Sequence, residues 1–157
     1  MNLLLDTHVA LWAITDHPKL AHKARKLILA PKTVVWVSAA TLWKIAIKYG
    51  LGRGDMPVSS SNALRYFGEA GFRLLPVEAE HALAVEDLPP HHQDPFDRIL
   101  VAQALVEPMR LMTHDPVVAR YSDTILTSSP PRRKEIPTAL RDDLRSRFGG
   151  FLIHRAA

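Results

Sequence analysis

The sequence predicts an α/β domain, with a central parallel sheet of four to five strands between two helical layers and a C-terminal extension. Three observations predict it. Short apolar runs alternate with segments whose apolar residues fall at helical spacing. The clearest strand candidates are apolar throughout, as strands buried on both faces must be. And two of those strands run directly into aspartate-containing turns.

The elements follow in order. Leu3-Leu4-Leu5 is a buried strand ending at Asp6-Thr7. Leu20, Ala24, Leu27 and Ile28 share one helical face, entered through Asp16-His17-Pro18. The β-branched run Thr33-Val34-Val35-Trp36-Val37 is a second strand. Ser38 caps a helix that runs to about Tyr49, with Leu42, Ile45, Ala46 and Tyr49 as its apolar face and Gly50 and Gly52 as its stop. A loop over 53–61 leads to a helix near 62–70, a third strand at 72–75 and a helical stretch over 78–87 ended by Pro89-Pro90. Asp94-Pro95 opens a helix reaching about Glu107, with Asp94 as its cap. Arg110-Leu111-Met112-Thr113 is a fourth strand, closed by His114-Asp115-Pro116, and Ile125-Leu126 a short fifth. The domain is expected to span residues 1–126. Residues 127–157 read as a linker plus a short charged helix.

Composition excludes several classes. The chain has 157 residues, no cysteine and a net charge of +4. Disulfides, thiolate metal sites and cysteine nucleophiles are therefore absent, and a reducing cytoplasm is the expected home. No apolar run has the length of a membrane span, and the opening does not read as a signal peptide. Residues 1–126 carry 13 basic and 13 acidic side chains, whereas 127–157 carry 7 and 3, so the tail holds the whole net charge.

The chemistry lies in the position of the acids. Asp6 and Asp115 follow two different strands, and Asp97 sits in the first turn of a helix. In an open parallel sheet these places share one edge, where sites form near the reversal of strand order. Converging carboxylates repel one another, and a hard divalent cation relieves that repulsion. Taken singly, Asp6 and Asp115 also suit turns, and Asp97 also suits a capping role beside Asp94. A dehalogenase-like or receiver-like phosphotransfer site is disfavoured: position 8 is His, where the former needs a second acid, and Arg73-Leu74-Leu75-Pro76 offers the latter no phosphoacceptor.

Four segments in order resemble the motifs of PIN-domain nucleases: residues 3–8 (Leu-Leu-Leu-Asp-Thr-His), 37–48 (around Trp43-Lys44-Ile45), 94–104 (from Asp-Pro-Phe-Asp-Arg) and 111–116 (Leu-Met-Thr-His-Asp-Pro). The nearest likeness is to VapC-like toxins of type II toxin–antitoxin systems. The resemblance implies a three-layer PIN-like fold and a metal-dependent ribonuclease. It also implies an RNA substrate, a cognate antitoxin and a homodimer; with no apolar run of membrane-spanning length, no membrane association is expected. It assigns Mg²⁺, with Mn²⁺ as substitute, to Asp6, Asp97 and Asp115. Thr7 and Thr113 would orient the acids or a water, while Asp94 and Ser38 would cap the helices that present the site. His8 and His114 could touch phosphate. Lys48, Arg53 and Arg98 could line an RNA groove. His91 and His92 read as loop residues, and Trp12, Trp36 and Trp43 as core or interface residues.

Lys44 departs from the pattern. The family's second motif usually reads Trp-Glu-Ile, and its glutamate completes the acidic cluster. At ~4 Å and an effective dielectric of ~20, two unit charges interact by about 4 kcal/mol. Reversing the sign there should weaken metal binding and attenuate or abolish activity. Lys44 is expected either to pair with Asp6 or Asp97, mimicking the metal's charge, or to carry its head to solvent on its flexible stem. The latter leaves the metal undisturbed. An inactive RNA- or antitoxin-binding module on the same fold is the alternative function.

Overall fold

Five short strands make one parallel sheet in a computed structural model that describes residues 1–52 and 54–128. They are β1 (Asn2–Leu5), β2 (Val34–Ser38), β3 (Arg73–Leu75), β4 (Arg110–Thr113) and β5 (Leu126–Thr127), in the order β3-β2-β1-β4-β5. Six helices and one 3₁₀ turn connect them: α1 (Thr7–Thr15), α2 (His22–Leu29), α3 (Ala39–Gly50), α4 (Ser60–Glu69), α5 (Ala79–Glu86), α6 (Pro95–Val106) and the 3₁₀ turn Val118–Tyr121. The basic segment expected to form a linker and short helix lies, from residue 129 on, outside the described residues, as does Arg53. Ser128 is still part of the sheet edge: its N–H donates to the Thr113 carbonyl at 2.8 Å.

Strand alternation builds the two halves of the core. Leu3 and Leu5 point to one face with Val35 and Val37, and meet α1, α2 and α4 through Val9, Ile28 and Phe67. Leu4 points to the other face with Leu111, and meets α6 through Leu100 and Val101. The register sets Leu5 opposite Val37 and Met112, so β1, β2 and β4 end at one level. The order of strands reverses between β1 and β4, which is where a parallel sheet opens a crevice at its carboxyl edge.

Three local readings are corrected. Residues 7–15 form a helix that the sequence does not announce. Thr-His-Val-Ala-Leu-Trp-Ala-Ile-Thr is short, largely apolar and rich in β-branched residues, so it shows little periodicity. Asp16 does not open α2; it ends α1 in the left-handed conformation, and α2 begins at His22 without a side-chain cap. The buried face of α3 is Ala40, Thr41, Lys44 and Ile45, so Ala46 and Tyr49 face outward and a lysine faces inward. Among the described residues no helix is long and apolar enough to cross a membrane.

Candidate active site at the carboxyl edge of the sheet

Asp6 is the buried corner of the site. It follows β1, and its N–H donates to the Met112 carbonyl of β4 at 2.9 Å. Its Oδ1 accepts the Val9 N–H at 2.7 Å and so caps α1. Its Oδ2 accepts from the Thr113 hydroxyl at 2.7 Å, the His114 N–H at 3.0 Å and His114 Nδ1 at 3.0 Å. Burial alone would raise this carboxyl, but the hydrogen bond from His114, the Val9 N–H, the His114 charge and the Thr113 hydroxyl together hold it below the usual carboxylate range. The same bond to Asp6 raises His114 against its own burial, helped by the charges of Asp6, Asp115 and Asp97. The His8 ring lies 4.2 Å from the His114 ring, centre to centre, and its partial burial lowers its pKa.

The amino end of α6 brings in the next two acids. Asp94 Oδ1 accepts the Phe96 N–H at 2.8 Å, with Pro95 as the first helical residue. Asp97, one turn in, is largely buried. Burial raises its carboxyl, and the charges of Asp94 and Asp6 add to this, while Lys44 and His92 oppose it. Asp115, after β4, is held by two donors: the Val117 N–H to Oδ1 at 2.8 Å and His92 Nε2 to Oδ2 at 2.9 Å. His92 Nε2 is also 3.6 Å from Asp97 Oδ2. His92, Asp97 and Asp115 each offer a ligand atom within 4.8 Å of the others. Asp6 stands outside that group of three, yet its charge reaches Asp97.

A family model described as the PIN domain matches residues 3–123. The chain belongs to the PIN-domain family. No curated protein sequence matches it significantly. Solved structures with the same fold include VapBC2 of Rickettsia felis, bound to a DNA fragment from its promoter. That structure has a TM-score of 0.60 and 17% identity, over 81% of this chain and 97% of the other. A DNA-bound VapBC of Salmonella typhimurium gives 0.57 and 15%, over 81% and 96%. VapBC-1 of nontypeable Haemophilus influenzae gives 0.55 and 16%, over 82% and 98%.

Within this PIN domain Lys44 takes neither of its expected poses. Its side chain is only 9% exposed, so it does not reach solvent, and its Nζ bonds Asp94 Oδ2 at 3.2 Å rather than Asp6 or Asp97. Asp94 meets it with Oδ2, while its Oδ1 takes the Phe96 N–H. Burial raises the Asp94 carboxyl, but the Phe96 N–H and then the charge and hydrogen bond of Lys44 hold it below the usual range. Ser38 Oγ accepts the Ala40 N–H at 3.0 Å and caps α3, which carries Lys44 inward. Thr113 links the two strand ends: it donates to Asp6 and accepts the Asp115 N–H at 3.1 Å. Thr7 donates to Thr41 at 3.5 Å, and not to an acid.

Two expectations about other residues change. His92 is not an idle loop residue; the ordering of 89–93 over α6 delivers it between two acids. The adjacent Asp97 motif was its only signal in the sequence. Arg98 does not line a groove. Its guanidinium donates to the carbonyls of Val85 and Pro89 at 3.1 Å each and to Tyr121 Oη at 3.0 Å, which fastens that loop.

Proposed function

We propose that this chain is a divalent-metal-dependent endoribonuclease and the toxin of a toxin–antitoxin pair. RNA is its substrate, a cognate antitoxin its partner and a homodimer its working form. PIN domains are generally nucleases, and the VapBC complexes of the same fold support the toxin assignment. The observation that carries the reading is the gathering of Asp97 and Asp115, with Asp6 behind them, at the carboxyl edge of the sheet.

The donor set fits a hard cation. Asp97 and Asp115 present carboxylate oxygens, which Mg²⁺ and Mn²⁺ favour. Burial raises the Asp97 carboxyl against the charge of Lys44, with Asp94 and Asp6 adding to the rise, and a cation beside it would favour the ionised form. Asp97 and Asp115 would hold the ion, with Asp6 beside them. Such an ion supplies charge against a phosphodiester and acidifies a water. The protein's own part is positional. Thr113 and His114 keep Asp6 ionised and fixed, and His92 and the Val117 N–H orient Asp115. Trp43, 64% exposed on α3 against Phe96, offers apolar surface to a protein partner.

Lys44 favours a second reading, in which metal binding is weakened and the chain acts as a binding module. A cleavage assay on single-stranded RNA separates the two. Cleavage with Mg²⁺ or Mn²⁺ that stops in EDTA supports the nuclease. RNA or antitoxin binding with no cleavage under either metal supports the module.

A further inference from the structure

The three side chains best placed to share an ion include an imidazole, and its hydrogen bonds decide whether it can be a ligand. The Asp94 N–H donates to His92 Nδ1 at 3.0 Å. A backbone N–H cannot accept, so Nδ1 must present a lone pair, and the ring hydrogen lies on Nε2. Nε2 is the atom facing Asp115 Oδ2 at 2.9 Å and Asp97 Oδ2 at 3.6 Å. A metal-ligating imidazole needs its lone pair on the ligating nitrogen and commonly donates its other N–H to an acceptor. Here the other nitrogen faces a donor.

We propose that His92 is a positioning residue locked as the Nε2–H tautomer, donating to Asp115, and is not a metal ligand. It ends a chain of contacts that runs Lys44 Nζ to Asp94 Oδ2, Asp94 N–H to His92 Nδ1, and His92 Nε2–H to Asp115 Oδ2. The backbone of His92 is held as well, its N–H donating to Tyr121 Oη at 2.9 Å. The chain crosses three motifs. It gives the departed residue, Lys44, a function in this protein: it anchors the aspartate whose backbone sets the tautomer. The same device recurs away from the site. His81 Nδ1 accepts the Glu78 N–H at 2.9 Å, and Nε2 meets Glu107 Oε1 at 2.8 Å, joining α5 to α6.

The consequence for the proposed ion rests on the cation reading above. Asp115 Oδ2 would be aimed by a fixed N–H, and the imidazole would stay outside the ligand shell. The test is long-range ¹H–¹⁵N correlation of the histidine rings in the full chain, without metal and with saturating Mg²⁺. His92 is identified by the signal lost in His92→Gln. The expected result is the Nε2–H pattern in both states. An Nδ1–H pattern without metal, or loss of the Nε2 hydrogen on adding Mg²⁺, overturns the proposal. Calorimetric Mg²⁺ titrations run beside it. His92→Leu should weaken binding by about 10- to 100-fold, the usual effect of removing a residue that orients a ligand. His92→Gln, which restores an N–H donor, should recover most of that loss. Equal losses in both variants count against positioning. If the parent binds no Mg²⁺ at all, the cation reading fails, while the metal-free spectrum still decides the tautomer.

Discussion

The residue with the largest leverage is Lys44. Its charge opposes the burial that raises Asp97, so it offsets part of the field a cation would answer. Replacing it tests whether it attenuates the site. Lys44→Glu should tighten Mg²⁺ binding by about tenfold or more, the charge reversal, about 4 kcal/mol for one pair at ~4 Å, outweighing the loss of the Asp94 anchor. Calorimetry that finds unchanged or weaker binding contradicts attenuation. The sequence could place this cation at the site but could not choose its partner. Several carboxylates lie within reach of a long side chain, and the choice of Asp94 depends on how α3 packs against the start of α6. The Asp6–His114 pair carries a pH signature. His114 is raised above its ordinary 6.5, so its contribution to stability is full below about pH 6.5 and is lost as pH rises through the raised value. Asp6 is lowered from 3.8, so its contribution is present above about pH 3.8 and is lost as pH falls through the lowered value. In EDTA the pair therefore stabilises most between these limits. Urea denaturation at pH 5 and pH 8.5 should show a larger stability difference between the parent and His114→Asn at pH 5. An equal difference at both contradicts the assignment.

At the scale of elements, the helices that present the site begin on side-chain caps, and those caps are where sequence and structure agree most closely. Ser38 and Asp94 stand where a polar residue precedes a helical run, a local signal that needs no tertiary information. Ser38→Ala should cost about 1 kcal/mol, read by thermal unfolding. Strands β1, β2 and β4 were equally legible, because burial on both faces demands continuous apolar runs. Leu4, fully buried against α6, should cost about 2–5 kcal/mol when changed to Ala. The helix α1 was hidden for the same physical reason: a segment apolar nearly all round shows no period, and its cap is an aspartate that also reads as a turn residue. The face of α3 was misread because Lys44 is polar by type. Its charge is met inside by Asp94, fifty positions away, and it lies over the Phe96 ring.

For the whole molecule, the order β3-β2-β1-β4-β5 does the gathering. The alternation of strands and helices was enough to predict that Asp6, Asp97 and Asp115 share an edge, since parallel strands end and following helices begin on the same side. Distances within that edge were not legible. They depend on loop 89–93, whose path is fixed by Arg98 and Tyr121 and which inserts His92 among the acids. The proposed function requires this edge to hold a divalent cation on carboxylates. The most direct test is anomalous diffraction from a crystal soaked in Mn²⁺. One peak should contact Asp97 and Asp115, beside Asp6 and clear of His92 Nε2. A saturated crystal with no peak among these aspartates, or with the ion seated on His92, would contradict it.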